Sequence, residues 1–184
     1  NLREVYDAVM GGYWPNAGAK ALAAAPGDAS RIDSFVMSTS GNATHFGDLS
    51  PNSGGDGSNA MGSFIRACFA GAQSPTSNVI DYVTMATEGN AADFGDLTVA
   101  RGLLCSGCAN SIRGVTGGGD PGPSVSNVID YITIQSTGNA TDFGDLTNSR
   151  NTTMTANPTR SIFMGGSTPS LSNVIDFVVT MTTG

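Results

Sequence analysis

An all-β repeat fold is predicted by a long internal repeat, by the turn-forming residues that punctuate it, and by the lack of any segment that keeps a helical period for three turns. Asn78 to Arg101 reads NVIDYVTMATEGNAADFGDLTVAR, and Asn127 to Arg150 reads NVIDYITIQSTGNATDFGDLTNSR. A shorter copy, IDSFVMSTSGNATHFGDL, runs from Ile32 to Leu49, and NVIDFVVTMTTG begins at Asn173. The aligned aspartates Asp33, Asp81, Asp130 and Asp176 are spaced 48, 49 and 46 residues apart.

Each unit reads as four short β segments. The first closes in a glycine doublet: Gly11-Gly12, Gly71-Ala72, Gly118-Gly119 and Gly165-Gly166. Arg66, Arg113 and Arg160 each stand six residues before the last member of the doublet, and Tyr6 holds that place in the first copy. The second segment is the Asn-Val-Ile-Asp strand. The third surrounds Phe-Gly-Asp-Leu-Thr, and the fourth lies in stretches such as Leu103 to Cys108 and Thr152 to Ala156. Gly, Pro, Asn and Asp between segments supply the turns. The units span approximately 1–59, 60–107, 108–155 and an incomplete 156–184, within a single repeat domain. Ala19 to Ala25 reads as a short helical insertion ended by Pro26.

The Asn-Val-Ile-Asp strand carries apolar residues on both faces. Ile132 and Ile134 point one way, Ile129 and Tyr131 the other. Such a strand is covered on two sides. A four-stranded unit of 46 to 49 residues with both faces covered fits a β-propeller blade between its neighbours. The doublet, the Asp-Tyr strand and the closing Leu-Thr-x-x-Arg resemble kelch repeats. The longer string N-V-I-D-Y-I-T-I … G-N-A-T-D-F-G-D-L-T-x-x-R is similar to repeat proteins of tailed phages, those of cyanobacteria and marine bacteria above all. That resemblance covers nearly the whole chain and implies a kelch-like β-propeller and a place in a virion or fibre. It implies no particular activity. The sequence departs from ordinary kelch repeats in two ways. Asp81 precedes Tyr82 instead of following it, and Phe46, Phe94 and Phe143 stand where a Trp is usual. By strand count the chain holds about 3.5 to 4 units. It is therefore a piece of a longer propeller, a small propeller whose terminal strands share a blade, or a subunit whose edges pair with another chain.

Composition excludes several function classes. The 184 residues include 8 Lys+Arg and 15 Asp+Glu, for a net charge of -7, and Lys20 is the one lysine. A phosphate backbone needs clustered cations, so nucleic acid is not an expected partner. No apolar run reaches the roughly 20 residues of a membrane-spanning helix, so no membrane insertion is expected. One histidine, His45, and two glutamates leave little material for acid–base or metal chemistry. No cofactor, no metal and no catalytic residue are expected, and the chain is read as non-enzymatic.

Several strings look chemical and have a plainer reading. Asp-Phe-Gly at Asp93 and Asp142 lacks the other parts of a kinase. The pairs Asp93/Asp96 and Asp142/Asp145, matched by His45/Asp48, could hold Ca²⁺. Their repetition favours Asx-turns instead. Cys105-x-x-Cys108 has no second ligand pair for zinc, and a link between the two thiols requires the segment to be a turn. Asn42, Asn139 and Asn151 open glycosylation sequons, but Gly-Asn-Ala recurs at Asn90 without one, which favours a turn role. Asp48, Asp96 and Asp145, like the four Asn-Val-Ile-Asp aspartates, recur identically and are read as structural.

The expected function is that of a structural or recognition protein on a virion, of the tail-fibre or decoration type, or in an extracellular assembly. The expected partners are further copies of the chain, other virion or surface proteins, or a cell-surface glycan. An extracellular filament joined by strand pairing is the alternative. A glycan-binding lectin or a propeller enzyme ranks below both. Tyr13, Trp14 and His45 are the least repeat-like side chains and the candidates for binding.

Overall fold

The computed structural model describes residues 20–24, 30–37, 41–51, 58–73, 75–102, 106–122, 124–168 and 170–182. Four small antiparallel sheets follow one another along the chain. The first holds β1 (Lys20–Ala24), β2 (Arg31–Val36) and β3 (Thr44–Asp48). The second is the meander β4 (Asn59–Gly62), β5 (Arg66–Gln73), β6 (Thr76–Thr84) and β7 (Ala92–Arg101). The third repeats it with β8 (Ser106–Ala109), β9 (Arg113–Gly117), β10 (Val128–Thr133) and β11 (Thr141–Asp145). The fourth begins with β12 (Thr153–Ala156) and β13 (Arg160–Met164). A small hairpin, β14 (Ser167–Thr168) and β15 (Ser170–Leu171), intervenes before β16 (Ile175–Val179) completes the sheet in the order β12-β13-β16. Among the described residues there is no helix and no closed ring of sheets.

Register shows which positions are equivalent. Ile32, Ile80, Ile129 and Ile175 pair with Ala24, Ala70, Gly117 and Met164. By the same ladders Lys20, Arg66, Arg113 and Arg160 stand opposite Val36, Thr84, Thr133 and Val179. Lys20 is therefore the first copy's version of the recurrent arginine, a place the sequence pattern had given to Tyr6. The stretch read as a helical insertion is the strand β1. Alanine is the best helix former, but propensity yields to tertiary context, and five ladder pairs with β2 override it here. The doublet Gly11-Gly12 lies outside the described residues, and in ladder register Ala25-Pro26 follow β1 where the other copies have their doublets. The fourth segment of each unit, seen as β8 and β12, pairs with the following doublet strand and so opens the next sheet.

Consecutive sheets stack face to face, and three apolar clusters fill the gaps. Ile32, Phe46 and Leu49 meet Phe69 and Val83 between the first and second sheets. Met61, Cys68, Ile80, Phe94 and Leu97 meet Ile132 and Ile134 between the second and third. Val115, Ile129, Phe143 and Leu146 meet Met154 and Phe163 between the third and fourth. The two apolar faces of the Asn-Val-Ile-Asp strand thus serve two neighbours: Ile132 packs backward and Ile129 forward. The outer faces are uncovered among the described residues. Phe35 and Met37 of the first sheet region are 42% and 60% exposed, and Ile175 of the last is 67% exposed although Ile129 is 1% exposed.

A backbone latch reinforces each of the first two contacts. Gly89 N donates to Phe46 O at 2.9 Å and Ala91 N to Asp48 O at 2.8 Å. Asp48 N donates to Asn90 Oδ1 at 3.1 Å. One unit later, Gly138 N meets Phe94 O at 2.7 Å, Ala140 N meets Asp96 O at 2.8 Å, and Asp96 N meets Asn139 Oδ1 at 3.1 Å. The Gly-Asn-Ala loop of each unit therefore grips the Phe-Gly-Asp strand of the unit before. The glycine of that strand is required by the approach: a Cβ on Gly95 would lie 2.5 Å from Gly138. Gly144 has nothing within 4 Å, with a φ of 134° close to the 144° of Gly95.

Gly95→Ala and Gly144→Ala carry the same backbone strain, so their difference isolates the latch. Gly95→Ala is expected to lose roughly 1–3 kcal/mol more than Gly144→Ala in denaturant unfolding. Equal losses would show that the latch does not constrain the fold.

Candidate functional site

The recurrent polar residues meet at the joints between sheets. Arg101 ends β7 in the second sheet, and its guanidinium crosses to the third. Arg101 Nη2 lies 2.7 Å from Asp130 Oδ2, with both side chains fully buried. Its Nη1 donates to Gly118 O at 2.7 Å and to Val128 O at 2.8 Å. Thr98 Oγ1 donates to the other oxygen of Asp130. Arg150 repeats the arrangement toward the fourth sheet. Its Nη1 lies 2.9 Å from Asp176 Oδ2 and its Nε donates to Gly165 O at 3.0 Å. Thr147 donates to Asp176 through both N and Oγ1. The Leu-Thr-x-x-Arg end of one unit thus holds the aspartate and doublet of the next. Doublet glycines sit there because a Cβ on Gly118 would be 2.4 Å from Arg150 O and one on Gly166 would be 1.5 Å from Asn151 O. Gly119 N also donates to Arg150 O at 3.2 Å.

Asp33 and Asp81 depart from this scheme. Asp33 pairs with Arg31 Nε of its own strand at 2.8 Å, both partly exposed. Asp81 is fully buried and accepts Ser50 N at 2.7 Å on Oδ2.

The other sequence candidates fall as follows. Asp93 Oδ1 and Asp142 Oδ1 accept Gly95 N and Gly144 N at 3.0 and 2.9 Å, the Asx-turn geometry. His45 Nε2 lies 3.1 Å from Asp48 Oδ1, with both side chains more than two-fifths exposed. Asp145 stands opposite Val128 at the end of β11. Among the described residues no three of His, Cys, Asp and Glu gather as a metal site. Cys68 and Cys108 are free thiols. Burial pushes Cys68 up to about 12, against the pull of Arg66, and raises Cys108 against a hydrogen bond from Ser161. Tyr13, Trp14, Gly11, Gly12 and Cys105 lie outside the described residues.

A second cluster forms at the turns that open each sheet. Ser63, Asn110 and Asn157 each accept backbone N–H groups two and three residues on, ending at Arg66, Arg113 and Arg160. The arginines then lie over aromatic rings. Arg66 is 4.5 Å from the centroid of Tyr82, Arg113 4.2 Å from Tyr131, and Arg160 4.7 Å from Phe177. In the first copy Ser34 replaces the tyrosine, and Lys20 lies 5.4 Å from Phe46 instead. Arg66 Nη1 donates to Ile134 O and Arg113 Nη1 to Thr180 O in the following sheet. The turns of the last three sheets surround an open, mainly apolar cleft of about 570 Å³, lined by Lys20, Phe64, Met85, Asn110, Asn157 and Pro158 among others. Phe64 is 68% exposed there.

The sequence pattern missed Arg101 and Arg150 as partners of the aspartates. The signal was present, since both close a Leu-Thr-x-x-Arg string one unit before an Asn-Val-Ile-Asp. No protein-family model matches the chain, and no curated protein sequence matches it.

Removing one member of a buried pair strands the other. Arg101→Met is expected to cost about 3–5 kcal/mol in denaturant unfolding. Asp33→Asn, at a partly exposed pair, is expected to cost no more than about 1 kcal/mol. Comparable losses would remove the special weight given to the joint.

Proposed function

We propose that the chain is a kelch-like β-propeller scaffold and serves as a non-enzymatic structural or recognition protein. The setting is a virion, of the tail-fibre or decoration type, or an extracellular assembly. One observation carries the reading: the side chains that recur with the repeat are spent on joining sheets. Asp130, Asp176, Arg101 and Arg150 bond across joints, and Asn90 and Asn139 hold neighbouring backbone. The meander order of the second and third sheets, with β4 against β8 and β8 against β12, supports the propeller. What remains for contact is the turn cleft with Phe64 and Lys20 and the exposed His45; Tyr13 and Trp14, outside the described residues, stay candidates from the sequence alone. An aromatic side chain beside polar turns suits a glycan or a protein surface.

Particles purified from the source and labelled with an antibody to this chain are expected to carry it on fibres, tails or an external assembly. Release of product from a panel of glycans and peptides by the purified chain would sink the non-enzymatic reading.

A filament of strand-paired subunits is the second reading, favoured by the edge position of β16 among the described strands and its exposed Ile175, Phe177 and Val179. It expects sedimentation of the purified chain to show concentration-dependent oligomers that Ile175→Lys disperses. A monomer at all concentrations rejects it.

A further inference from the structure

Among the described residues no guanidinium reaches Asp81, whereas the other two buried joints each contain one. Arg101 and Arg150 follow Leu97 and Leu146 by four residues, and the residue four after Leu49 is Ser53. Asp81 is nonetheless fully buried, like Asp130. Ser50 N satisfies its Oδ2 at 2.7 Å, while Oδ1 has no hydrogen-bond partner among the described residues. In ladder register Gly71 and Val79 are the equivalents of Gly118 and Val128, whose carbonyls bind the guanidinium of Arg101. Asp81 Oδ1, Gly71 O and Val79 O are thus the acceptors from which a neighbouring joint holds a cation.

We propose that the Asp81 joint is a binding site for a small monovalent cation taken from solution. A buried carboxylate without a partner is costly, and a cation of single charge neutralises it as arginine does elsewhere in the molecule. A divalent ion would leave the joint with a net buried charge. The donors are all oxygen, one carboxylate and two carbonyls, which suits a hard ion such as sodium or potassium and disfavours thiophilic metals. Guanidinium is the matching probe, because the two arginine joints already hold that group.

The test is the thermal midpoint of the purified chain in choline chloride at fixed ionic strength, titrated with millimolar guanidinium, sodium or potassium. A saturable rise of about 3–5 °C at ten times the half-saturating concentration is expected with at least one of the three. Asp81→Asn is expected to abolish it. Ser53→Arg, which puts an arginine at the sequence position that Arg101 and Arg150 hold in their units, is expected to raise the midpoint and also to abolish the response. A flat titration of the native chain overturns the site. So does a rise that persists in both variants. Should Asp81→Asn fail to fold, Ser53→Arg alone decides between a filled joint and a non-specific salt effect.

Discussion

The ion pair between Arg101 and Asp130 crosses from one sheet to the next with no access to water, and the way the second and third sheets are set against each other follows from it. Taking two such charges out of water costs several kcal/mol per ion unless every hydrogen-bonding position is used. The joint nearly meets that condition. Two carbonyls and the carboxylate take the terminal nitrogens of Arg101, and Thr98 takes the second oxygen of Asp130, leaving Arg101 Nε unsatisfied among the described residues. These acceptors lie on β10 and at Gly118 just past the end of β9, so the guanidinium fixes position and rotation together. Apolar contact between flat sheets is non-directional and could not do so alone. The joint therefore supplies register, and the clusters around Ile129 and Ile80 supply most of the driving force.

The glycines answer to the same constraint. Gly71, Gly118 and Gly166 lie where backbone passes against the end of Leu-Thr-x-x-Arg, and Gly47 and Gly95 lie where a Gly-Asn-Ala loop arrives. Gly71, Gly118, Gly165 and Gly166 also have positive φ, which other residues adopt only with strain. Among the described glycines, Gly47, Gly71, Gly95, Gly118 and Gly166 thus mark places where two backbones touch.

The repeat, the strand positions and the two-sided burial of the Asn-Val-Ile-Asp strand were legible because period-two alternation and turn residues are local signals. The pairing of Asp130 with Arg101 was not, since the partners are separated by 29 residues and belong to different units. Nor was β1. Lys-Ala-Leu-Ala-Ala carries no doublet and no β-branched residue, and only its ladder with β2 reveals Lys20 as the counterpart of Arg66. The latch residues were visible as Gly-Asn-Ala, but a turn role explained them equally well until Asn90 and Asn139 were seen to bond another sheet. Local chemistry identifies a turn; it does not say which neighbour the turn will face.

Stacked units that touch only their neighbours have a stability that is a sum over interfaces. The interfaces here are not equal. Between the second and third sheets all three devices are present: apolar cluster, Gly-Asn-Ala latch and buried Arg–Asp pair. Between the first and second, the cluster and the latch remain, but among the described residues no arginine reaches Asp81, and Lys20 with Phe46 replaces the arginine–tyrosine stack. The first interface therefore combines the weakest joint with a fully buried, unpaired carboxylate oxygen. Selection on the fold alone would favour replacing Asp81 with an apolar residue, because an uncompensated buried charge is worse than none. The oxygen of Asp81 that has no partner among the described residues is open to compensation from outside the chain, and His45 belongs to the first of the two sheets that meet there.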